Sequence, residues 1–161
     1  MAKSIEDILT LGEIVQRAHE NASPEAWDYM VGGSETETTL RRNRLALDEL
    51  AFRPRVLRDV SHIDTSTNIL GMPLCMPVFF APMGSLDQLH DDGALVPACA
   101  AREFGIASMV SSVCPPGMET VMTEAGGHLM FQLYVRGDEA WIKDHVDQAQ
   151  GLGYKAFCIT V

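Results

Sequence analysis

The feature that most limits what this chain can fold into is an alternation that begins near Pro77. Four short apolar runs, Val78-Phe79-Phe80-Ala81, Ile106-Ala107-Ser108-Met109-Val110, Leu129-Met130-Phe131-Gln132-Leu133-Tyr134-Val135 and Lys155-Ala156-Phe157-Cys158-Ile159-Thr160-Val161, are separated by helix-like segments at Gly93 to Phe104, Met118 to Glu124 and Glu139 to Ala149. Run centres about 24 to 29 residues apart match the size of a βα unit, and nearly continuous apolar strands are what a parallel sheet covered on both faces requires. The pattern predicts an α/β fold of consecutive βα units, either a barrel of eight or an open doubly wound sheet. Both place their ligand at the carboxyl ends of the strands. The polar residues stand there: Pro82-Met83-Gly84 after the first run, Ser111-Ser112 after the second, Gln132 and Tyr134 late in the third, Thr160 late in the fourth. One ligand-facing rim is therefore expected.

The first seventy residues carry helix-start signals and arginines instead. Ser4 with Asp7 and Thr10 with Glu13 are spaced as capping boxes, and Ile5, Ile8, Leu9, Ile14 and Val15 recur at helical spacing. Ser23-Pro24-Glu25 combines an N-cap, a first-turn proline and a first-turn acid, opening a helix through Trp27 and Met30 that Gly32-Gly33 ends. A third helix is expected from Glu35 to about Leu47. Pro54 then makes Phe52-Arg53-Pro54-Arg55 extended, because proline disfavours helical geometry in the residue before it.

Composition narrows the partners. A net charge of −10 on 161 residues repels phosphate backbones and anionic lipid, which argues against nucleic acid or a membrane surface as the main partner. The four cysteines, Cys75, Cys99, Cys114 and Cys158, have neither C-x-x-C spacing nor a nearby histidine, so no metal site and no disulfide framework is indicated, and they read as buried thiols. The charged start Met1 to Asp7 does not read as a secretory signal, and no apolar run approaches the ~20 residues of a membrane span. A cytoplasmic protein is expected, with peripheral membrane association still compatible.

Several local motifs have plainer explanations than chemistry. Gly151-Leu152-Gly153-Tyr154-Lys155-Ala156 matches a dinucleotide fingerprint, but a helix precedes it and a strand follows, the reverse of what phosphate binding at a helix N-terminus needs. It reads as a helix C-cap. His90-Asp91-Asp92 reads as acids at a helix start, His145 with Asp144 and Asp147 as a solvated helix face, and Cys114-Pro115-Pro116 as loop packing, since nothing nearby would depress the thiol pKa. Arg41, Arg42 and Arg44 have Asp48 and Glu49 as ion-pair partners. The last apolar run carries no turn, cap or polar tail, and four βα units cannot close a barrel of eight strands and ~250 residues. The expectation is the amino half of a longer protein.

Taken in order, Asp28-Tyr29-Met30-Val31-Gly32-Gly33, Arg42-Asn43-Arg44, Phe52-Arg53-Pro54-Arg55-Val56-Leu57, Ala81-Pro82-Met83-Gly84, Ser111-Ser112, Phe131-Gln132-Leu133-Tyr134-Val135 and Ile159-Thr160-Val161 resemble the FMN-dependent α-hydroxy-acid oxidase and dehydrogenase family. Each tag alone is weak, while their order and spacing together are specific. The resemblance implies a (β/α)8 barrel with FMN across the carboxyl-end rim. Residues 1–70 would form a helical segment with an extended stretch, and residues 71–161 the first half of the barrel, truncated in its fourth strand.

By the same resemblance, Pro82, Met83 and Gly84 pass the flavin ring, and Ser111, Gln132 and Thr160 hydrogen-bond its polar edge. Neutral hydroxyl and amide groups suit that task, offering donors and acceptors without charge. Tyr29 and Tyr134 match the tyrosines that face the carboxylate and hydroxyl of a small 2-hydroxy acid. No residue in this sequence takes the family's catalytic histidine and arginine roles, and the aspartate that orients the histidine is expected after Val161. Met83 lacks the hydroxyl common at its position, leaving only backbone for that contact, and Val113 stands where some members carry a bulky aromatic. The reaction implied is oxidation of a small (S)-2-hydroxy acid to the 2-oxo acid, with oxygen, a quinone or a cytochrome as electron acceptor, in a full-length homo-oligomer. The alternatives are a catalytically dead half-barrel serving as a binding or assembly module, and an FMN barrel with isomerase chemistry.

Overall fold

The computed structural model describes residues 7–161; the expected Ser4 cap and Ile5 fall outside the described residues. The chain divides into two compact units, Met1–Asp59 and Val60–Val161.

The first unit contains three helices, α1 (Leu11–Asn21), α2 (Pro24–Val31) and α3 (Thr38–Asp48). Glu13 N–H donates to Thr10 Oγ1 while Thr10 N–H donates to the Glu13 carboxylate, which closes the expected capping box. Because the helix starts after this cap, Ile8 and Leu9 precede it instead of lying on its apolar stripe. Ser23 caps α2 by accepting from Ala26 N–H, Pro24 opens the helix, and Gly32 ends it, as read. α3 begins at Thr38 and not at Glu35, because Glu35 and Glu37 both take positive φ, 54° and 55°, which no helix accommodates. Arg44 pairs with Asp48 one turn on. Residues 51–55 form no helix or strand.

The second unit opens with a hairpin that the sequence pattern did not reveal, β1 (Thr67–Ile69) paired antiparallel with β2 (Met72–Leu74). Its two turn residues, Leu70 (φ 51°) and Gly71 (φ 81°), both lie in the left-handed region, the geometry of a tight hairpin turn. Leucine in the first of those positions hides the usual Asn-Gly or Asp-Gly signal.

The alternating region folds as predicted. β3 (Phe79–Phe80), α4 (Leu95–Phe104), β4 (Ala107–Ser111), α5 (Met118–Glu124), β5 (His128–Tyr134), α6 (Glu139–Leu152) and β6 (Phe157–Thr160) follow in order, and the strands pair in parallel as β3-β4-β5-β6. Gly105 (φ 74°) and Gly153 (φ 92°) end α4 and α6 in the left-handed region, so the fingerprint-like Gly151-Leu152-Gly153 is a helix end and turn. α4 begins later than expected. His90-Asp91-Asp92-Gly93 forms a turn closed by Gly93 N–H donating to the His90 carbonyl at 2.8 Å, Gly93 takes φ 48°, and no side chain caps the helix.

Strand alternation separates two faces. On one, Val110, Leu129, Phe131 and Leu133 are buried with Ala98, Val121 and Ala149 of the helices, and Phe131 meets Tyr154 edge-on at 5.6 Å. Fully burying side chains of this size stabilises by about 1.5–3 kcal/mol each. On the other, Ala107 and Met130 pack with Met72 and Leu74, so the hairpin covers the amino-terminal part of that face. The sheet is open: Phe79, Phe80 and Ile159 on its outer strands are exposed. The cysteines depart from expectation, since only Cys114 is buried, Cys99 is half-buried, and Cys75 and Cys158 are exposed. Cys158 aligns with Gln132 on the face that carries no helices.

Candidate functional site

The face covered by the hairpin changes character along the strands. Ala107 and Met109 lead to Ser111 on β4, and Met130 leads to Gln132 and Tyr134 on β5. Parallel register sets Ser111 beside Gln132, Gln132 beside Cys158, and Tyr134 beside Thr160. Apolar residues thus fill the amino-terminal part, and polar residues collect at the carboxyl ends. Ser111 and Gln132 are each only 2% exposed. A carboxamide is buried at such a depth when it has partners, and Gln132 Nε2 donates to Thr160 Oγ1 at 2.6 Å.

Loops after the strands close around this edge. The chain turns away after β4 as Ser111 Oγ accepts from Val113 N–H at 3.3 Å and the Ser111 carbonyl accepts from Cys114 N–H at 3.2 Å. On one flank Ser85 N–H donates to the Val113 carbonyl at 3.2 Å, which ties the loop after β3 to the loop after β4. Gly84 belongs to that contact. A Cβ there would stand 2.8 Å from Val113 Cγ2, so the glycine admits the valine side chain. The turn also rests on the entry to α4, where Ala94 N–H donates to the Pro115 carbonyl at 2.8 Å. Burial pushes the Cys114 thiol pKa up, with Asp87 adding to the rise, so this thiol packs and does not ionise readily.

The structure brings Ser111, Gln132, Tyr134 and Thr160 together at the carboxyl edge of the sheet and sets Pro82, Met83 and Gly84 on the adjoining loop. Tyr134 is 43% exposed and Met83 is half-exposed. Tyr29 lies on α2 of the first unit and is 59% exposed. Cys158 is the addition to the rim, placed there by register, while Ser112, expected at the rim beside Ser111, also bonds across to β5. The edge presents neutral hydroxyls and a carboxamide, which is the chemistry a polar heteroaromatic edge needs and not that of a metal. Among the described residues no group of three metal-ligating side chains forms, and no helix is long and apolar enough to cross a membrane.

The FMN-dependent dehydrogenase family matches residues 18–161. The chain belongs to this family. It is 36% identical over 163 residues to an L-lactate oxidase of Nostoc sp., covering 98% of this chain and 44% of that protein. A glycolate oxidase 3 of Oryza sativa is likewise 36% identical, over 98% of this chain and 43% of its own length. The chain thus spans less than half the length of these curated relatives. Among solved structures, a mandelate oxidase crystal structure superposes with a TM-score of 0.91 at 32% identity, over 96% of this chain and 45% of that one. A mandelate oxidase variant with the C4a-OH-FMN adduct superposes at 0.87 with the same identity, over 92% and 45%.

Proposed function

We propose that these residues form the amino-terminal portion of an FMN-dependent oxidoreductase that converts a small (S)-2-hydroxy acid to its 2-oxo acid. The observation that carries this reading is the buried polar edge: Ser111 and Gln132 end an otherwise apolar sheet face. Membership of the FMN-dependent dehydrogenase family supports it. The open four-stranded parallel sheet, and relatives more than twice as long, support a place in a larger βα barrel.

The residues present fit FMN. Ser111, Gln132 and Thr160 would hold the polar edge of its ring, and the backbone of Pro82, Met83 and Gly84 would pass beside it. When bound, FMN supplies the two-electron acceptor that hydroxy-acid oxidation requires. Gln132 and Thr160 stand already bonded to each other, so binding exchanges neutral hydrogen bonds without moving charge. Tyr29 and Tyr134 would orient the substrate with neutral phenol donors, Tyr134 from the rim itself. The apolar layer of Met109 and Met130 beneath the rim keeps water from reaching the cofactor edge from below. No residue of this chain is assigned the family's histidine base or carboxylate-binding arginine. Relatives named as oxidases favour oxygen as the electron acceptor.

The test is to purify the full-length gene product. It should carry a yellow flavin that bleaches anaerobically with lactate, glycolate or mandelate. A full-length product that neither retains nor binds FMN would overturn the proposal.

A further inference from the structure

Ser112 lies one residue past the end of β4, yet it continues the bonding between β4 and β5. Its N–H donates to the Gln132 carbonyl at 2.8 Å, and its Oγ accepts from Tyr134 N–H at 3.0 Å. The second bond is unusual in origin. The backbone of β4 has already turned away here, with the N–H groups of Val113 and Cys114 both bonded back to Ser111. A side-chain hydroxyl therefore takes the place of a ladder carbonyl that has left the sheet. The turn that carries it is braced from outside through Ser85 N–H on the Val113 carbonyl and Ala94 N–H on the Pro115 carbonyl. Tyr134, by contrast, is 43% exposed, and its backbone sets the direction in which the side chain leaves the strand.

We propose that Ser112 is a positioning residue, whose hydroxyl holds the Tyr134 backbone and, through it, the Tyr134 phenol on the rim. This rests on the reading of Tyr134 as a substrate contact. The hydroxyl makes no contact with substrate or cofactor in this scheme and acts only through its neighbour.

The test uses Ser112→Ala together with the near-isosteric pair Ser112→Thr and Ser112→Val, which differ by a hydroxyl against a methyl group. On the unliganded chain, amide hydrogen exchange at Tyr134 should accelerate about three- to tenfold in the alanine and valine variants and stay at the wild-type rate in the threonine variant, the range expected for one lost hydrogen bond. In the full-length flavoprotein, KM for the 2-hydroxy acid should rise by a similar factor in Ser112→Ala while Kd for FMN is unchanged. The same substitution should add nothing in a Tyr134→Phe background, because both changes then remove one and the same interaction. Wild-type exchange at Tyr134 in Ser112→Ala, equal behaviour of the threonine and valine variants, or faster exchange with an unchanged KM would each overturn the proposal. Failure of all three variants to fold would do so too, since shape and not the hydroxyl would then be what matters. Absence of FMN from the wild-type protein would sink the functional reading yet leave the exchange result standing on its own.

Discussion

Gly93→Ala tests whether the turn after β4 is braced as described. Gly93 sits at φ 48°, and a Cβ added there would lie 2.3 Å from the Pro115 carbonyl oxygen, a backbone atom, and 3.2 Å from its carbon. Real Cβ atoms do not approach closer than 3.0 Å, so either Pro115 or the entry to α4 must shift. Positive φ in a residue with a Cβ costs about 1–2 kcal/mol. The shift stretches the bond between Ala94 N–H and the Pro115 carbonyl, 2.8 Å long at present, at a further ~0.5–1.5 kcal/mol. The expected loss is about 2–3 kcal/mol. Gly153→Ala serves as the control, because Gly153 also has positive φ, 92°, but has nothing within 4 Å of the added atom and lies at the opposite end of the sheet from the rim. It should cost only the backbone part, about 1–2 kcal/mol. Urea denaturation at constant m-value reads both. In the full-length protein Gly93→Ala should also weaken FMN binding, since the same turn carries Ser111, whereas Gly153→Ala should not. Equal destabilisation by the two substitutions would show that the Pro115 carbonyl yields freely, and the idea of a braced rim would fall.

Tyr154→Phe should invert its effect with pH. The Tyr154 hydroxyl donates to the Met118 carbonyl at 2.7 Å, so its loss costs ~1 kcal/mol at neutral pH. Burial raises its pKa above the ordinary tyrosine value. The unfolded chain therefore ionises first, and the stability contribution, full below pH ~10, falls by up to about 1.4 kcal/mol per pH unit above it. The wild-type and Tyr154→Phe stability curves should cross near pH ~10.6 by that arithmetic, and parallel curves would contradict it. Gln132→Leu removes the donor to Thr160 at nearly constant volume and should raise Kd for FMN about tenfold or more in the full-length protein, measured by flavin fluorescence; an unchanged Kd would remove Gln132 from the site. Peptide mapping after brief alkylation at pH 8 should find exposed Cys158 modified and Cys114 protected until the chain unfolds.

The parts of the fold that were legible are those set by periodicity and by local caps. Runs of buried aliphatics marked β4 and β5 to within a residue, Met118–Glu124 was read at its observed limits, and Thr10 with Glu13 closed the box their spacing announces. The failures have physical causes. The β1–β2 hairpin escaped because Leu70 adopts a conformation its side chain disfavours, and the start of α3 was misplaced because two glutamates adopt positive φ. Ile8 and Leu9 fit a helical stripe that the cap itself cuts off. Cys158 looked like a core thiol within an apolar run, but register turns it to the face that the helices leave open.

For the site the division runs along the same line. Which residues stand near the carboxyl ends of the strands was determined by the sequence alone, since a βα repeat puts every strand end on one side. The order and spacing of short tags along the chain carry the resemblance to the family, which the match over residues 18–161 shows. Only tertiary structure decided that Gln132 is buried and bonded to Thr160, that Gly84 makes room for Val113, and that the Ser112 hydroxyl replaces a missing carbonyl opposite Tyr134. Each of these joins residues about 20 to 30 positions apart, and register together with loop closure sets such pairs where local propensity carries no information.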